Sequence, residues 1–194
     1  MSPVPERPIL RVPHAEAWRA WLAENHASSP GVQLALAKGA AQGIRYAEAL
    51  DEALCFGWID GRKQGLSEIE WLQVFTPRTT KSIWSQRNRE HVDRLEHEGR
   101  MTDAGRAEVE RARSDGRWDA AYAGSRTIEV PDDLAAALAA SPQASARFAT
   151  LTSQNRFAIL FRIGNVKRAE TRARKIADYV AMLERGETIY PQKR

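Results

Sequence analysis

The stretch that decides the fold is residues 46–62, which read Tyr-Ala-Glu-Ala-Leu-Asp-Glu-Ala-Leu-Cys-Phe-Gly-Trp-Ile-Asp-Gly-Arg. Tyr46, Leu50 and Leu54 recur every four residues, and the alanines between them favour a helix with one buried face. Gly57 predicts the end of this helix, because a residue without a Cβ readily adopts the left-handed cap conformation. A very short strand or bend is expected next, with a second turn at Gly61. The helix therefore delivers four side chains to one place: Cys55, Trp58, Asp60 and Arg62.

Working outward, two segments have the pattern of strands. Residues 32–36 alternate between apolar and smaller or polar side chains, which predicts a strand with one buried face. Residues 69–75 are rich in β-branched and aromatic side chains and end at a Thr-Pro pair. Helices are predicted at about 14–27, after Ser82 or Ser85, and at about 103–114. The expected fold class is α+β, with a small mixed or antiparallel sheet and flanking helices.

The last third of the chain is predicted to be helical throughout. Pro131 and the Ser141-Pro142 pair mark helix starts, and apolar side chains recur at helical spacing from there to about residue 185. A polar link at 123–127 separates this part from the rest. The expected organisation is an extended arm at 1–13, an α+β domain at 14–126 and a C-terminal helical domain at 127–194.

Composition limits the class of protein and its location. The chain of 194 residues is 43% hydrophobic and 28% charged, which is ordinary for a globular protein. It has no apolar run long enough to span a bilayer, and its one cysteine requires no oxidising compartment. Its first residues lack the hydrophobic core of a signal peptide, so no secretory leader is expected. We therefore expect a cytoplasmic protein with no membrane insertion. The charge is uneven, because residues 126–194 hold 12 Lys and Arg against 7 Asp and Glu.

The loop at residues 76–88 is the strongest candidate for a binding site. It gathers hydrogen-bond donors around an indole at a predicted helix start, and this combination suits an anion or a carboxylate. The alternative is that Ser85 only caps the helix, the indole only packs, and the cations are solvated. Together with Trp58, Asp60 and Arg62, the predicted ligand-binding set contains Arg78, Ser82, Trp84, Ser85 and Asn88.

Other chemistry is less well supported by the residues. Cys55 could be a nucleophile, although its apolar neighbours are more typical of a core thiol. Asp60 and Arg62 could simply cap a tight turn around Gly61. Asp93 and His97 lie on one helical face and could bind a metal ion weakly, but such a pair is more often a solvated part of the surface. The sequence contains no nucleotide-binding or zinc motif, so no cofactor and no metal are expected.

A cluster of basic residues marks the C-terminal part of the chain. It could bind nucleic acid, since neutralising phosphates requires clustered Lys and Arg, or it could be a solvated helix face. No RNA-binding signature accompanies it. The cluster lies within residues 156–175 and comprises Arg156, Arg162, Lys167, Arg168, Arg172, Arg174 and Lys175.

Four long motifs resemble the YdeI/OmpD-associated protein family. The first is residues 46–61, and the second reads Phe-Thr-Pro-Arg from Phe75 and continues to Ser-Ile-Trp-Ser-Gln-Arg-Asn. The third is Gly-Arg-Met-Thr-Asp-Ala-Gly at 99–105. The fourth is the C-terminal block with Val-Pro-Asp-Asp-Leu at 130–134 and Lys-Arg-Ala-Glu-Thr-Arg at 167–172, which resembles the helical bacteriocin-protection or OmdA domain. The similarity extends over about residues 14–185, and Val74 departs from it where relatives carry an arginine.

The resemblance implies a bacterial protein for tolerance of bacteriocins or stress, with no established reaction and no catalytic residues to transfer. Two kinds of function therefore stay open beside nucleic-acid binding. One is a binding protein for a small anionic or peptide-like ligand or a protein partner. The other is an enzyme that uses Asp60 or Cys55 together with Arg62 and Arg78. The position of Cys55 and Asp60 in the fold should discriminate between these two.

Overall fold

The computed structural model describes residues 7–192 of the chain, which divide into two compact units between Ala121 and Tyr122. Most of the arm predicted at 1–13 precedes the first strand, and its residues 1–6 lie outside the described part, as do residues 193 and 194 of the predicted helical domain. From residue 7 onward the arm is not a free segment. Its residues Ile9 and Leu10 pair with the next strand and join the sheet.

Within residues 7–192, the first unit contains a mixed four-stranded sheet, so the predicted α+β class is confirmed. The strand order is β1-β2-β4-β3; the β1–β2 pair is parallel, and the β2–β4 and β3–β4 pairs are antiparallel. The sequence had left a mixed or an antiparallel sheet open. The strands are β1 (Ile9–Leu10), β2 (Val32–Ala37), β3 (Trp58–Gly65) and β4 (Glu70–Pro77).

Four helices of the same unit supply most of its core. The predicted core helix α2 is buried at Ala49, Leu50, Ala53 and Leu54, as its four-residue spacing requires. It ends at Gly57, whose φ of 73° is the left-handed conformation predicted for the cap. The helices are α1 (Ala15–Asn25), α2 (Tyr46–Cys55), α3 (Gln86–His97) and α4 (Asp103–Ser114).

Strand β2 differs from the prediction that only one of its faces is buried. All six of its residues are buried, including Gln33 and Ala35. The strand lies between β1 and β4, and two of the three side chains on its second face are alanines, which expose little surface. The Gln33 side-chain amide is satisfied there, because it donates to the Arg7 carbonyl oxygen at 3.0 Å.

The short strand and second turn predicted after Gly57 are wrong. Residues 58–65 form one eight-residue strand that pairs antiparallel with β4. Gly61 lies inside this strand, at the register shift between Asp60 and Lys63, and not in a turn. An irregular register of this kind is typical of a β-bulge, where a residue without a side chain is easily accommodated.

The second unit is all-helical over its described residues, as predicted. Its core contains Leu134, Ile159, Ile163 and Leu183, all with no exposed surface. Side chains of Ser141 and Thr152 cap two of the helices, and the first of these caps lies at the predicted Ser141-Pro142 start. Among residues 7–192 no helix is long and apolar enough to cross a membrane. The helices are α5 (Asp132–Ala139), α6 (Pro142–Ala149), α7 (Ser153–Gly164) and α8 (Ala169–Glu184).

Candidate functional site

Two of the quoted motifs meet where α4 begins and α2 ends. Thr102 caps α4 and also donates to the carbonyl oxygen of Cys55, through its hydroxyl at 2.6 Å and its backbone N–H at 3.1 Å. Gly105 allows this approach, because a Cβ there would lie 2.2 Å from the same oxygen. The motif at 99–105 therefore docks the start of one helix on the end of another, and its glycine is required by packing.

The acidic pair of the same stretch anchors an ion-pair network. The buried Glu52 carboxylate contacts Arg19 at 2.7 Å and Arg100 at 2.6 Å. Its neighbour Asp51 contacts His91 at 2.8 Å and Arg94 at 2.7 Å. These contacts connect α1, α2 and α3 with the segment before α4. The network has a structural role that the sequence reasoning missed, although the acidic pair within an apolar helix was a visible signal.

The two predicted loops are neighbours through their backbones. Gly57 precedes β3, Arg78 follows β4, and the Arg78 N–H donates to the Gly57 carbonyl oxygen at 3.0 Å. Trp58, however, points into the core. Its indole N–H donates to the His26 carbonyl oxygen at 3.2 Å, and its ring packs edge-on against Trp18 and Trp21. With 1% of its surface exposed, Trp58 belongs to the interior.

Asp60 and Arg62 lie along β3 and not in the predicted tight turn. Asp60 stands opposite Phe75 in the β3–β4 register. Phe75 precedes Arg78 by three residues, so Asp60 and Arg78 are about 10 Å apart along the strand direction. Its carboxylate accepts a hydrogen bond from the Tyr46 hydroxyl at 3.0 Å. Arg62 is exposed at the bulge. The fold therefore places Asp60 beside the start of α2, at a distance from the loop after β4.

Arg78 and Trp84 form the centre of the loop after β4. The Arg78 guanidinium lies 3.5 Å from the centre of the Trp84 ring, and its Nη1 donates to the Ile83 carbonyl oxygen at 3.2 Å. Both side chains are buried, at 5% and 2% exposure. The stacked pair thus fixes the course of the loop from its inner side, and the loop residues between them reach solvent.

The polar residues of this loop organise its backbone. Ser85 caps α3 and accepts a hydrogen bond from the Asn88 N–H at 3.1 Å, which confirms the predicted helix start. Ser82 accepts a hydrogen bond from the Thr79 N–H at 2.9 Å. Asn88 itself is buried in the first turn of the helix. Ser82 and Ser85 therefore hold the turn and the cap that give the loop its shape.

A second group of side chains, which the sequence reasoning did not find, closes the loop from α4 and the turn after it. Arg117 donates to the Ser82 carbonyl oxygen at 2.8 Å, and the Trp118 ring packs edge-on against Trp84 at 4.9 Å. Burial raises the pKa of the Glu108 carboxyl, and the nearby guanidinium groups of Arg111, Arg117 and Arg78 oppose that rise. We call Arg78, Trp84, Glu108, Arg117 and Trp118 the arginine–tryptophan cluster.

Only the tryptophan that follows two arginines within residues 113–118 could have signalled this cluster in the sequence. Arg113 and Arg89 both lie over the Trp118 ring, at 5.2 Å from its centre. Glu108 has no distinguishing sequence context, because its spacing in α4 is that of an ordinary surface residue. Its partners become visible only once α4 is packed against the end of β4.

Cys55 has the environment of a core residue. It is fully buried, and burial is the main cause that raises the pKa of its thiol, followed by the charge of Glu52. A raised pKa reduces the thiolate fraction, and the thiolate is the form that reacts. This environment does not favour a nucleophile.

Comparison with known families divides the chain into two parts. Residues 10–108 match a family described as a domain of unknown function (DUF8412), and residues 127–186 match OmdA, described as Bacteriocin-protection, YdeI or OmpD-Associated. The chain belongs to the DUF8412 family and carries an OmdA domain. The predicted resemblance is confirmed in the C-terminal block, whereas the three N-terminal motifs lie in DUF8412. No curated protein and no solved structure matches the chain.

The OmdA domain carries the basic cluster that the sequence had singled out. Several of its cations have partners within the domain: Arg172 contacts Asp133 at 2.6 Å, and Arg156 lies over the Phe148 ring. Arg162 lies 6.0 Å from the centre of the Tyr190 ring. Arg168, at the N-cap of α8, and Arg174, within α8, are both exposed. The cluster is therefore partly engaged in folding the OmdA domain.

The histidines and carboxylates of α3 do not assemble a metal site in the described part of the chain. His91 is directed to Asp51 at 2.8 Å. Across residues 7–192, no three side chains from His, Cys, Asp and Glu are grouped closely enough to hold an ion.

Proposed function

We propose that this DUF8412–OmdA protein is a bacterial binding protein that acts in the cytoplasm in tolerance of bacteriocins or stress. It would work by binding an anionic or peptide-like ligand, or an acidic protein partner, and not by catalysing a reaction. One observation carries the proposal. Residues 76–89, which span the end of β4, the loop after it and the first turn of α3, contain four cations and no carboxylate, and the arginine–tryptophan cluster holds this loop in place. The four cations are Arg78, Lys81, Arg87 and Arg89.

The loop is suited to binding because its conformation is fixed in advance. Arg78 and Arg117 donate to backbone carbonyl oxygens of Ile83 and Ser82, on the inner side of the loop. The outer side presents Lys81, and Ile83 with 40% of its surface exposed. A preorganised loop loses little conformational entropy when it binds, so more of the contact energy appears as affinity.

The same geometry gives the enzyme alternative less support than binding. The two proposed reactive groups do not share a cleft, because Cys55 is buried and Asp60 is hydrogen-bonded to Tyr46. Arg78, the proposed partner of Asp60, is stacked on Trp84. A nucleophile needs an activating base within hydrogen-bond reach and access to a substrate, and a buried thiol lacks such access.

Survival of bacteriocin-challenged bacteria tests the proposal. Cells lacking the protein receive the wild type, the loop variant Lys81→Glu/Arg87→Glu, or a matched control, Arg168→Glu/Arg174→Glu, which reverses two exposed charges in the OmdA domain. The loop variant should lose protection while keeping the thermal unfolding midpoint of the wild type, because exposed charges contribute little to stability. The control should protect normally.

The opposite pattern contradicts the proposal. If the loop variant protects and the OmdA variant does not, the basic face of α8 carries the function and nucleic-acid binding becomes the better explanation. Fluorescence anisotropy with a labelled acidic peptide gives a direct second measurement. Binding that weakens in the loop variant and is retained in the control supports the assignment, and equal binding by both variants refutes it.

A further inference from the structure

A second surface of the first unit, remote from residues 76–89, has the features of a ligand site. It lies where β3 and β4 approach their connecting turn, at the opposite end of both strands from Arg78. A cavity of about 450 Å³ opens there. Its lining consists of Lys38, Lys63, Gln64, Gly65 and Trp71.

The indole ring of Trp71 forms the floor of this cavity, and the glycine opposite it leaves one side of the ring uncovered. Trp71 is half-buried, and its partner across the β3–β4 pair is Gly65. A Cβ at Gly65 would meet no atom within 4 Å, so the space beside the indole is empty of protein. An indole exposed in this way offers a wide flat surface to another planar group.

The floor is held rigidly from the side of α2. The Tyr46 ring packs against Trp71 with the ring centres 6.0 Å apart, and the Tyr46 hydroxyl donates to Asp60 at 3.0 Å. Asp60 therefore helps to position this aromatic pair. A stacking surface that is already fixed needs no rearrangement to accept a ligand.

The lining is cationic, and apolar side chains are exposed beside it. Lys38 and Lys63 are the charged residues of the lining, which contains no carboxylate. Lys38 is held at the turn, since its ammonium group donates to the Ser67 carbonyl oxygen at 2.6 Å. Leu66 and Ile69, in the same turn, expose 38% and 62% of their surface. Exposed apolar groups next to a concave surface are typical of binding sites.

We propose that this cavity binds a planar aromatic anion, whose ring stacks on Trp71 and whose carboxylate or phosphate lies between Lys38 and Lys63. The aromatic floor selects a flat ring, and the two ammonium groups select negative charge. Free aromatic carboxylates and nucleotides share this chemistry. They differ in the distance between the ring and the anion, so two probes discriminate between them.

Isothermal titration calorimetry of the full chain tests the site with 2-naphthoate and with adenosine monophosphate. At least one of the two should bind saturably, and the stronger one identifies the preferred spacing of ring and charge. Acetate and the neutral 2-naphthylmethanol should bind at least about tenfold more weakly than 2-naphthoate if that probe is preferred, because each lacks one of the two contacts. Absence of saturable binding by both anions overturns the proposal.

Three variants locate the site. Trp71→Leu should weaken binding at least about tenfold through loss of stacking. Gly65→Val places a side chain in the space beside the ring and should weaken binding as much while leaving the unfolding midpoint unchanged, since the strand accommodates a Cβ there. Lys63→Gln should weaken binding several-fold and reduce its salt dependence.

A matched control, Arg126→Gln, removes an exposed cation that is not part of the cavity lining and should bind the probe as the wild type does. Two results refute the site. One is unchanged affinity in Gly65→Val, which keeps the fold and fills the space. The other is a neutral analogue that binds as tightly as the anion, which would leave the two lysines without a role.

Discussion

Gly105→Ala is expected to destabilise the first unit by about 2–4 kcal/mol, although alanine is the better helix former. A Cβ at this position in α4 would lie 2.2 Å from the carbonyl oxygen of Cys55 and 2.8 Å from the terminal methyl of Met101. Ordinary carbon–oxygen contacts are about 3.3 Å or longer, so α4 would have to move by about 1 Å. The methyl of Met101 can move, but the backbone oxygen of α2 cannot move without its helix.

Three effects decide the size of the change. Replacing glycine by alanine within a helix stabilises by about 1 kcal/mol. Overpacking against a fixed neighbour costs about 1–3 kcal/mol. The displacement also lengthens the two hydrogen bonds from Thr102 to the Cys55 oxygen, each worth about 1 kcal/mol. The clash and the lost hydrogen bonds together exceed the gain in helix propensity.

Urea denaturation followed by tryptophan fluorescence measures this change in the first unit, because all six tryptophans of the chain precede residue 122. The matched control is Ala107→Gly, an exposed position in the same helix. It should lose about 1 kcal/mol and so calibrates the propensity effect in α4. A Gly105→Ala protein as stable as the wild type, or more stable, would refute the close contact between α4 and Cys55.

Four further outcomes are expected. Leu50→Ala should cost about 2–5 kcal/mol in the same urea assay, because Leu50 is 1% exposed in the core, and a loss below about 0.5 kcal/mol would contradict its burial. Residues 122–194 expressed alone should be helical by circular dichroism, since their core is their own, and a disordered fragment would contradict this. Cys55 should react with a thiol reagent at pH 8 only when the protein unfolds, because burial raises the pKa of its thiol; rapid labelling of the native state would argue against burial. The hydrogen bonds from Arg172 lower the pKa of Asp133 below its ordinary value of 3.8, so the pair stabilises the native state fully above that pH and loses this contribution as the pH falls through the lowered value. Asp133→Asn should therefore flatten the acid limb of the stability profile, and an unchanged limb would show that the pair contributes nothing.

The fold class could be predicted from local patterns, because the spacing of apolar residues along the chain indicates which side chains are buried. The spacing of Tyr46, Leu50 and Leu54 predicted a core helix, and the structure buries its inner face. The side-chain cap at Ser85 and the start of the helix at about residue 103 were equally readable, since a cap is formed within four residues of chain. The length of β3 was not readable. Residues 61–65 are exposed and carry no apolar side chain, and only their pairing with β4 makes them part of a strand.

The candidate sites show the same division. The sequence placed Trp58, Asp60 and Arg78 in one group because their two segments follow a predicted helix end and a predicted strand. Side-chain direction, however, depends on strand register and packing. Register directs Trp58 into the core and Asp60 to Tyr46, while Arg78 stacks on Trp84. Glu108 and Arg117 contact the loop after β4, although they lie roughly 30 residues further along the chain. No local pattern around the loop indicates them.

By itself the sequence determined the α+β class, the helical C-terminal part, the cap at Gly57 and the family motifs, since each depends on neighbours within a few residues. Only the tertiary structure decided that Gly105 is a contact point, that Glu52 anchors an ion-pair network, and that Trp71 lies open beside Gly65. These features arise between segments 6 to 50 residues apart, where the partner of a side chain is set by the path of the whole backbone. A local pattern predicts that a residue is buried, but it does not predict which distant residue packs against it.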